Sequence, residues 1–322
     1  MYYKKALRHL RRSCRKLSLN KEVWTEMKEI PLTHLICGCN MVPDQLFSNL
    51  LCEFAANGAG AVAINEWMAA RILDERRYFS SIEHQSRSTG VKLFEIHAPF
   101  GECWDLNCSV RARRPEMISE HIRCMNYAAE IGCKTYVIHI GAWDCIFRPE
   151  ISLEEMRTLA LDSLERLLPA AEKAGIILAV ENSFEMSNSP DEVLWLLKHF
   201  DSPFIGCCFD TGHANYMAPS ADGTPKAYSA SQINGAWRGE LIQESAALEK
   251  LYPHIVTCHI HDNNGLGDEH LLPGRGSIDW GKLMPELLNA PRLVSCQSEV
   301  AMLRDRIPVK ELCSVTERLI RR

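Results

Sequence analysis

Six apolar stretches of the chain each lead into a side chain that can bind a metal ion or move a proton. They end at His97, at His139, at Glu181, at Asp210 with His213 three positions on, at His259 and His261, and at Glu299. Carboxylates and imidazoles, with no thiolate in the same register, suit Mn²⁺, Mg²⁺, Co²⁺ or Zn²⁺. His259 and His261 are two apart, so on a strand both face one side. Glu181 follows Ile-Ile-Leu-Ala-Val and Asp210 follows Cys-Cys-Phe. A carboxylate at the end of so apolar a run is costly to bury without a cation. A structural ion pair is the plainer alternative for each. A single strand-end histidine is more often a hydrogen-bonded core residue than a ligand. Six such endings meeting at one place are a different matter. Arg275, in Pro273-Gly274-Arg275-Gly276, is either a substrate contact or a clamp on its own loop.

Residues this far apart in sequence meet only if the fold gathers the ends of the runs. Eight apolar runs are present, near Leu32–Cys39, Ala59–Ile64, Val91–His97, Thr135–Ile140, Ile176–Val180, Phe204–Phe209, Ile255–His261 and Leu293–Val300. Each is short enough for a strand and apolar enough for burial on both faces. Amphipathic stretches such as Glu116–Ile131 and Ser152–Ala174 separate them, and Lys173-Ala174-Gly175 is a helix stop before a strand. Eight such units predict an α/β fold, a (β/α)8 TIM barrel, whose C-terminal strand ends open on one mouth. No glycine-rich phosphate loop favours a doubly wound sheet instead. The polar stretch Ala218–Arg238 reads as a long loop or lid after the sixth strand.

Composition sets the outer limits. In 322 residues, 46% hydrophobic and 24% charged side chains exclude a disordered or coiled-coil protein. No uncharged apolar run reaches the roughly 18 residues of a membrane span. The net charge of −5 hides an asymmetry, because the first 21 residues carry eight Lys and Arg and no acid. Residues 1–30 therefore read as a basic N-terminal extension and 31–322 as a single barrel domain. Beyond residue 21 there are 28 Lys and Arg against 41 Asp and Glu. That balance argues against nucleic acid as a partner. The 14 cysteines are scattered, with no CxxC, and no export signal precedes them. Free thiols in a reducing cytoplasm follow.

The ordered motifs resemble one family, the xylose isomerase-like barrels, also called AP endonuclease family 2. They are His97-Ala98-Pro99-Phe100, Val137-Ile138-His139-Ile140-Gly141, Ala179-Val180-Glu181-Asn182, Phe209-Asp210-Thr211-Gly212-His213 and His259-Ile260-His261-Asp262-Asn263. The segment from Gly267 to Trp280 continues the likeness, which runs from about Leu32 to Ile320. The sugar isomerases and epimerases of that family imply one divalent ion held by Glu181, Asp210, His261 and Glu299, with His259 the alternative on the seventh strand. The resemblance further implies that Glu181 and Glu299 remove and return a proton through an enediolate. It leaves His97, His139, His213, His259, His270 and Arg275 to contact substrate. The implied substrate is a small polyhydroxy carbonyl compound, a sugar or sugar phosphate. A homo-oligomer is left open. Two alternatives stand beside this one. An AP endonuclease would hold three zinc ions through His97, His139, Glu181, Asp210, His213, His259, Asp268, His270 and Glu299. A dehydratase of a keto-inositol or dehydroshikimate-like ring would use the single-ion set. Metal count separates the nuclease from the other two.

Overall fold

Short β-branched and apolar runs flanked by polar turns favour strands buried on both faces. The computed structural model describes residues 30–35, 44–220, 222–223, 235–238 and 241–321, and in it these runs become eight strands. They are β1 (Leu32–His34), β2 (Ala61–Ile64), β3 (Lys92–His97), β4 (Thr135–Ile138), β5 (Ile177–Glu181), β6 (Ile205–Asp210), β7 (Ile255–Ile260) and β8 (Cys296–Ser298). All pair in parallel, in the order β1-β8-β7-β6-β5-β4-β3-β2. A bridge between Leu35 and Ala63 links β1 back toward β2. The result is the expected (β/α)8 barrel. Residues 1–29 and most of the 218–238 stretch lie outside the described residues. No described helix is long and apolar enough to cross a membrane.

Helices fill the connections: α1 (Asp44–Ala56), α2 (Glu66–Asp74), α3 (Arg76–Thr89), α4 (Arg114–Ile131), α5 (Trp143–Phe147), α6 (Leu153–Ala174), α7 (Pro190–Leu197), α8 (Thr211–Met217), α9 (Ala247–Leu251), α10 (Trp280–Leu288) and α11 (Val309–Ile320). The longest, α6, shows how sequence sets the ends. Ser152 caps it by accepting from the Glu155 N–H at 3.1 Å, and Gly175 ends it at φ +70°. Met156, Ala160, Ser163, Leu164, Leu167 and Ala171 form its buried stripe.

Strands β4, β7 and β8 stop one residue before the side chains that matter. His139, His261 and Glu299 thus stand just past their strands, where the chain turns out of the sheet. At the opposite end of the interior, the buried carboxylate of Glu95 gathers hydroxyls from four strands or their edges. It accepts from Thr135 and Thr257 at 2.7 Å, from Ser295 at 2.9 Å, and from Thr33. Glu95→Ala would leave these hydroxyls unpaired around a cavity. We expect a loss of about 3 kcal/mol in urea unfolding. A loss below about 1 kcal/mol would show the cluster to be dispensable.

Candidate metal centre

The strand ends deliver a crowd of carboxylates and imidazoles to one mouth. One donor atom from each of Glu181, Asp210, His259 and Glu299 lies within 4.8 Å of the others. In this central group the Nδ1 of His259 is 3.2 Å from Glu181 Oε1, 3.5 Å from Asp210 Oδ2 and 3.1 Å from Glu299 Oε2. A second group shares Glu181 and adds His97 and His139. Their Nε2 atoms lie 3.3 and 3.1 Å from Glu181 Oε2. A third group joins Asp268 and His270 with His261. The Nε2 of His213 also reaches Asp268 Oδ2, at 3.5 Å, beside that of His270 at 3.2 Å. Cys208 lies against Glu181 and His259, but burial holds its thiol well above the usual range, so it is not a ready ligand.

Local structure explains the placements. Asp210 both ends β6 and caps α8, accepting from the His213 N–H at 2.6 Å. That turn carries His213 back over the mouth. Three of the mouth histidines have one ring nitrogen tied to a backbone carbonyl: His97 to Ala98 (2.9 Å), His213 to Asn182 (3.0 Å) and His270 to Glu299 (2.7 Å). A carbonyl can only accept, so Nδ1 carries the proton in each, and Nε2 is left facing the carboxylates. Metal-binding histidines are commonly held in this way.

The four-donor group contains His259 where His261 was expected. Ile260 is the last residue of β7, and His261 follows as the chain leaves the barrel. Its ring lies flat on His270, centroids 3.9 Å apart, and its Nε2 is 3.0 Å from Asp210 Oδ2. Gly212 makes room for it, because a Cβ there would run into the His261 ring. Arg275, expected near substrate, turns to Glu311 of α11 at 2.6 Å.

Reading strand ends alone passed over Asp262. This buried carboxylate accepts from Asn263 N (2.9 Å), Gly274 N (2.9 Å), Ile278 N (3.2 Å) and Trp280 Nε1 (2.9 Å). Its backbone also exchanges two hydrogen bonds with Leu271. It thereby folds the loop that carries Asp268 and His270. His270 sits there at φ +50°, an unusual conformation for a residue with a side chain. The signal was the Asp-Asn step after His261, a polar pair where a strand had just ended.

Electrostatics test whether divalent ions fit. Among the described residues, the ion pairs made by Glu181, Asp210, Asp268 and Glu299 are all with histidines. Burial raises the Glu181 carboxyl, but His259 and His139 outweigh it and hold it well below the usual range. Burial likewise opposes the charge on His213, and Asp210 with Asp268 raises it well above its ordinary value. His270 is raised to about 9 against burial, chiefly by Asp268. Among the described residues, Asp268 Oδ1 and His259 Nε2 are buried without a partner. Protonated histidines supply the counter-charge here, and the donor types are those that suit divalent ions.

The chain belongs to a barrel class with a carboxylate-histidine mouth. More particularly, residues 53–301 match the family model described as xylose isomerase-like TIM barrel, and the chain is a member of that family. It is 28% identical over 228 residues, 67% of each chain, to uncharacterized protein MJ1311 of Methanocaldococcus jannaschii. A D-tagatose 3-epimerase-like protein superposes with TM-score 0.63 at 20% identity, covering 91% of this chain and 98% of that one. The TTHB071 protein of Thermus thermophilus, from a crystal soaked with ZnCl₂, gives TM-score 0.60 at 24% identity, covering 90% and 98%.

Two outcomes follow from the geometry. His270, raised to about 9, carries a proton at pH 7 in the ion-free protein. Zinc uptake should then release protons, and affinity should climb as pH rises toward 9. Calorimetry in buffers of different ionisation enthalpy checks this, and uptake without proton release would contradict it. Asp262→Ala should weaken binding at the Asp268–His270 group by roughly tenfold or more while sparing the central group. Metal titration would refute this if both groups lost affinity equally.

Proposed function

We propose that the chain is a divalent-metal-dependent hydrolase of phosphate esters, the hydrolytic alternative raised by its sequence. The observation that supports this reading is the presence of three adjoining donor groups. Sugar chemistry on one ion needs only the central group. It leaves His97, His139, His213 and His270 as substrate contacts, whereas their convergence on Glu181 and on Asp268 forms two further sets of donors. Bound ions would supply positive charge that polarises phosphoryl oxygens and an attacking water.

The chain's own residues do the rest. Glu181 presents Oε2 to His97 and His139 and Oε1 to His259, so one carboxylate serves two groups. The carbonyl-tied histidines fix their Nε2 atoms before any ligand arrives, which avoids a reorganisation cost during reaction. Phe100 lies over His139 with centroids 4.8 Å apart and is 44% exposed. It offers an apolar face beside the Glu181 side of the mouth. Arg275 and Arg148 are engaged with Glu311 and with Glu102 and Asp144.

One observation favours a second reading, the sugar isomerase or epimerase. Glu181 and Glu299 approach the same His259 nitrogen at 3.2 and 3.1 Å, so two carboxylates share one donor site. Such a pair could take a proton beside a carbonyl and return it. A dehydratase would use the same pair.

Metal analysis of the zinc-loaded chain, with parallel assays, decides between them. Our reading expects about three ions per chain and hydrolysis of bis(p-nitrophenyl) phosphate. It also expects Glu181→Gln to lower kcat by roughly 10²-fold or more while losing ions from two groups. One ion per chain, with solvent deuterium entering simple ketoses, would instead establish the sugar reading.

A further inference from the structure

Among the ligand histidines, His259 is held differently. Its Nδ1 faces Glu181 and Glu299, so its proton must sit on Nε2 for Nδ1 to bind an ion. That Nε2 is buried and, among the described residues, has no hydrogen-bond partner, the nearby Cys208 thiol included. His97, His213 and His270 each have a backbone carbonyl for this task.

The neighbouring strand holds a second unpaired group. Gln297 is fully buried, and among the described residues neither its Oε1 nor its Nε2 has a partner. Ser295 and Glu299, two residues to either side, both face the barrel interior, where they meet Glu95 and His259. Alternation along a strand places Gln297 on the same face. Its Cα pairs in register with that of His259 across the β7–β8 ladder. An amide buried with both ends unpaired costs a few kcal/mol per group, which the fold tolerates only with a polar neighbour at hand. His259 and Gln297 are complementary: one has a ring N–H to give, the other a carbonyl oxygen to receive it.

We infer that Gln297 is the positioning residue for His259, accepting the Nε2–H through one buried water on the barrel axis. A water so placed has a donor from His259 and both ends of the amide, the two to four partners that an internal water needs. Gln297 thereby sets the tautomer that leaves Nδ1 free for an ion, replacing the carbonyl that serves the other histidines. The inference rests on His259 being a ligand and adds the group that makes it one.

The test uses the full chain loaded with zinc. Competition with a chromophoric chelator measures affinity, and ¹⁵N NMR of the His259 ring reports the tautomer. In the wild-type chain zinc should shift Nδ1 and leave Nε2 protonated. Gln297→Leu should weaken binding at the His259 group roughly 10- to 100-fold. Gln297→Glu keeps an acceptor and should stay within about threefold of wild type, a rescue that a purely packing role would not give. Wild-type affinity in Gln297→Leu, or failure of the Glu variant to rescue, would overturn the inference alone. Should the Leu variant not fold, the wild-type spectrum still decides: Nε2 without a proton in the zinc form overturns it. If zinc leaves both ring nitrogens unshifted, His259 is not a ligand and both readings fall.

Discussion

Three buried carboxylates, Glu181, Asp210 and Glu299, and the half-buried Asp268 meet at the mouth, and among the described residues their ion pairs are all with imidazoles. Almost every other feature of the site follows from that constraint. Charges of one sign in a poorly solvated space repel, and each needs hydrogen bonds or a counter-charge to remain ionised. In the ion-free protein, protonated histidines meet that need, which is why His213 and His270 are raised while Glu181 and Asp268 are lowered. Divalent ions held by these donors would supply the same counter-charge and release those protons, so that cation and proton would compete for the same electrostatic well.

The barrel makes such a well tolerable to the fold. Its outer shell is conventional, with amphipathic helices packed on an eight-stranded parallel sheet. Its interior is not uniformly apolar, since Glu95 at one end is satisfied by hydroxyls from four neighbouring positions. There a polar group inside is answered by other polar groups. Glu181 carries this furthest, serving His97 and His139 with one oxygen and His259 with the other.

The sequence is legible where a single strand decides the outcome. Alternation and run length locate all eight strands, and the side chains closing them are those that meet. It is less legible where two elements decide together. His259 and His261 share a face of one strand, so periodicity ranks them equally. What separates them is the end of β7 at Ile260 and the space over Gly212, a feature of β6 and α8. Arg275 is similar, because its partner Glu311 lies on α11, far along the chain. Gln297 carries no sequence signal, and Asp262 only the Asp-Asn step after His261. A buried amide and a loop carboxylate leave no periodic trace, and their meaning comes only from what is unpaired or converging around them.

The difference between one-ion and several-ion chemistry on this frame rests on loops more than on strands. The central group is built from β5 and β6, from β7, and from the first residue past β8. The Asp268–His270 group depends on a turn that no strand dictates, held by four N–H groups on Asp262 and by a left-handed His270. Strain of that kind persists only where its surroundings over-determine it, and it gathers at functional sites. A loop kept for packing alone could relax it by exchanging residue 270 for glycine. Here the side chain stays, tied through Nδ1 to the backbone of Glu299 and facing Asp268 with Nε2. The loop thus fixes a donor against its own backbone preference, as a ligand group at that position would require.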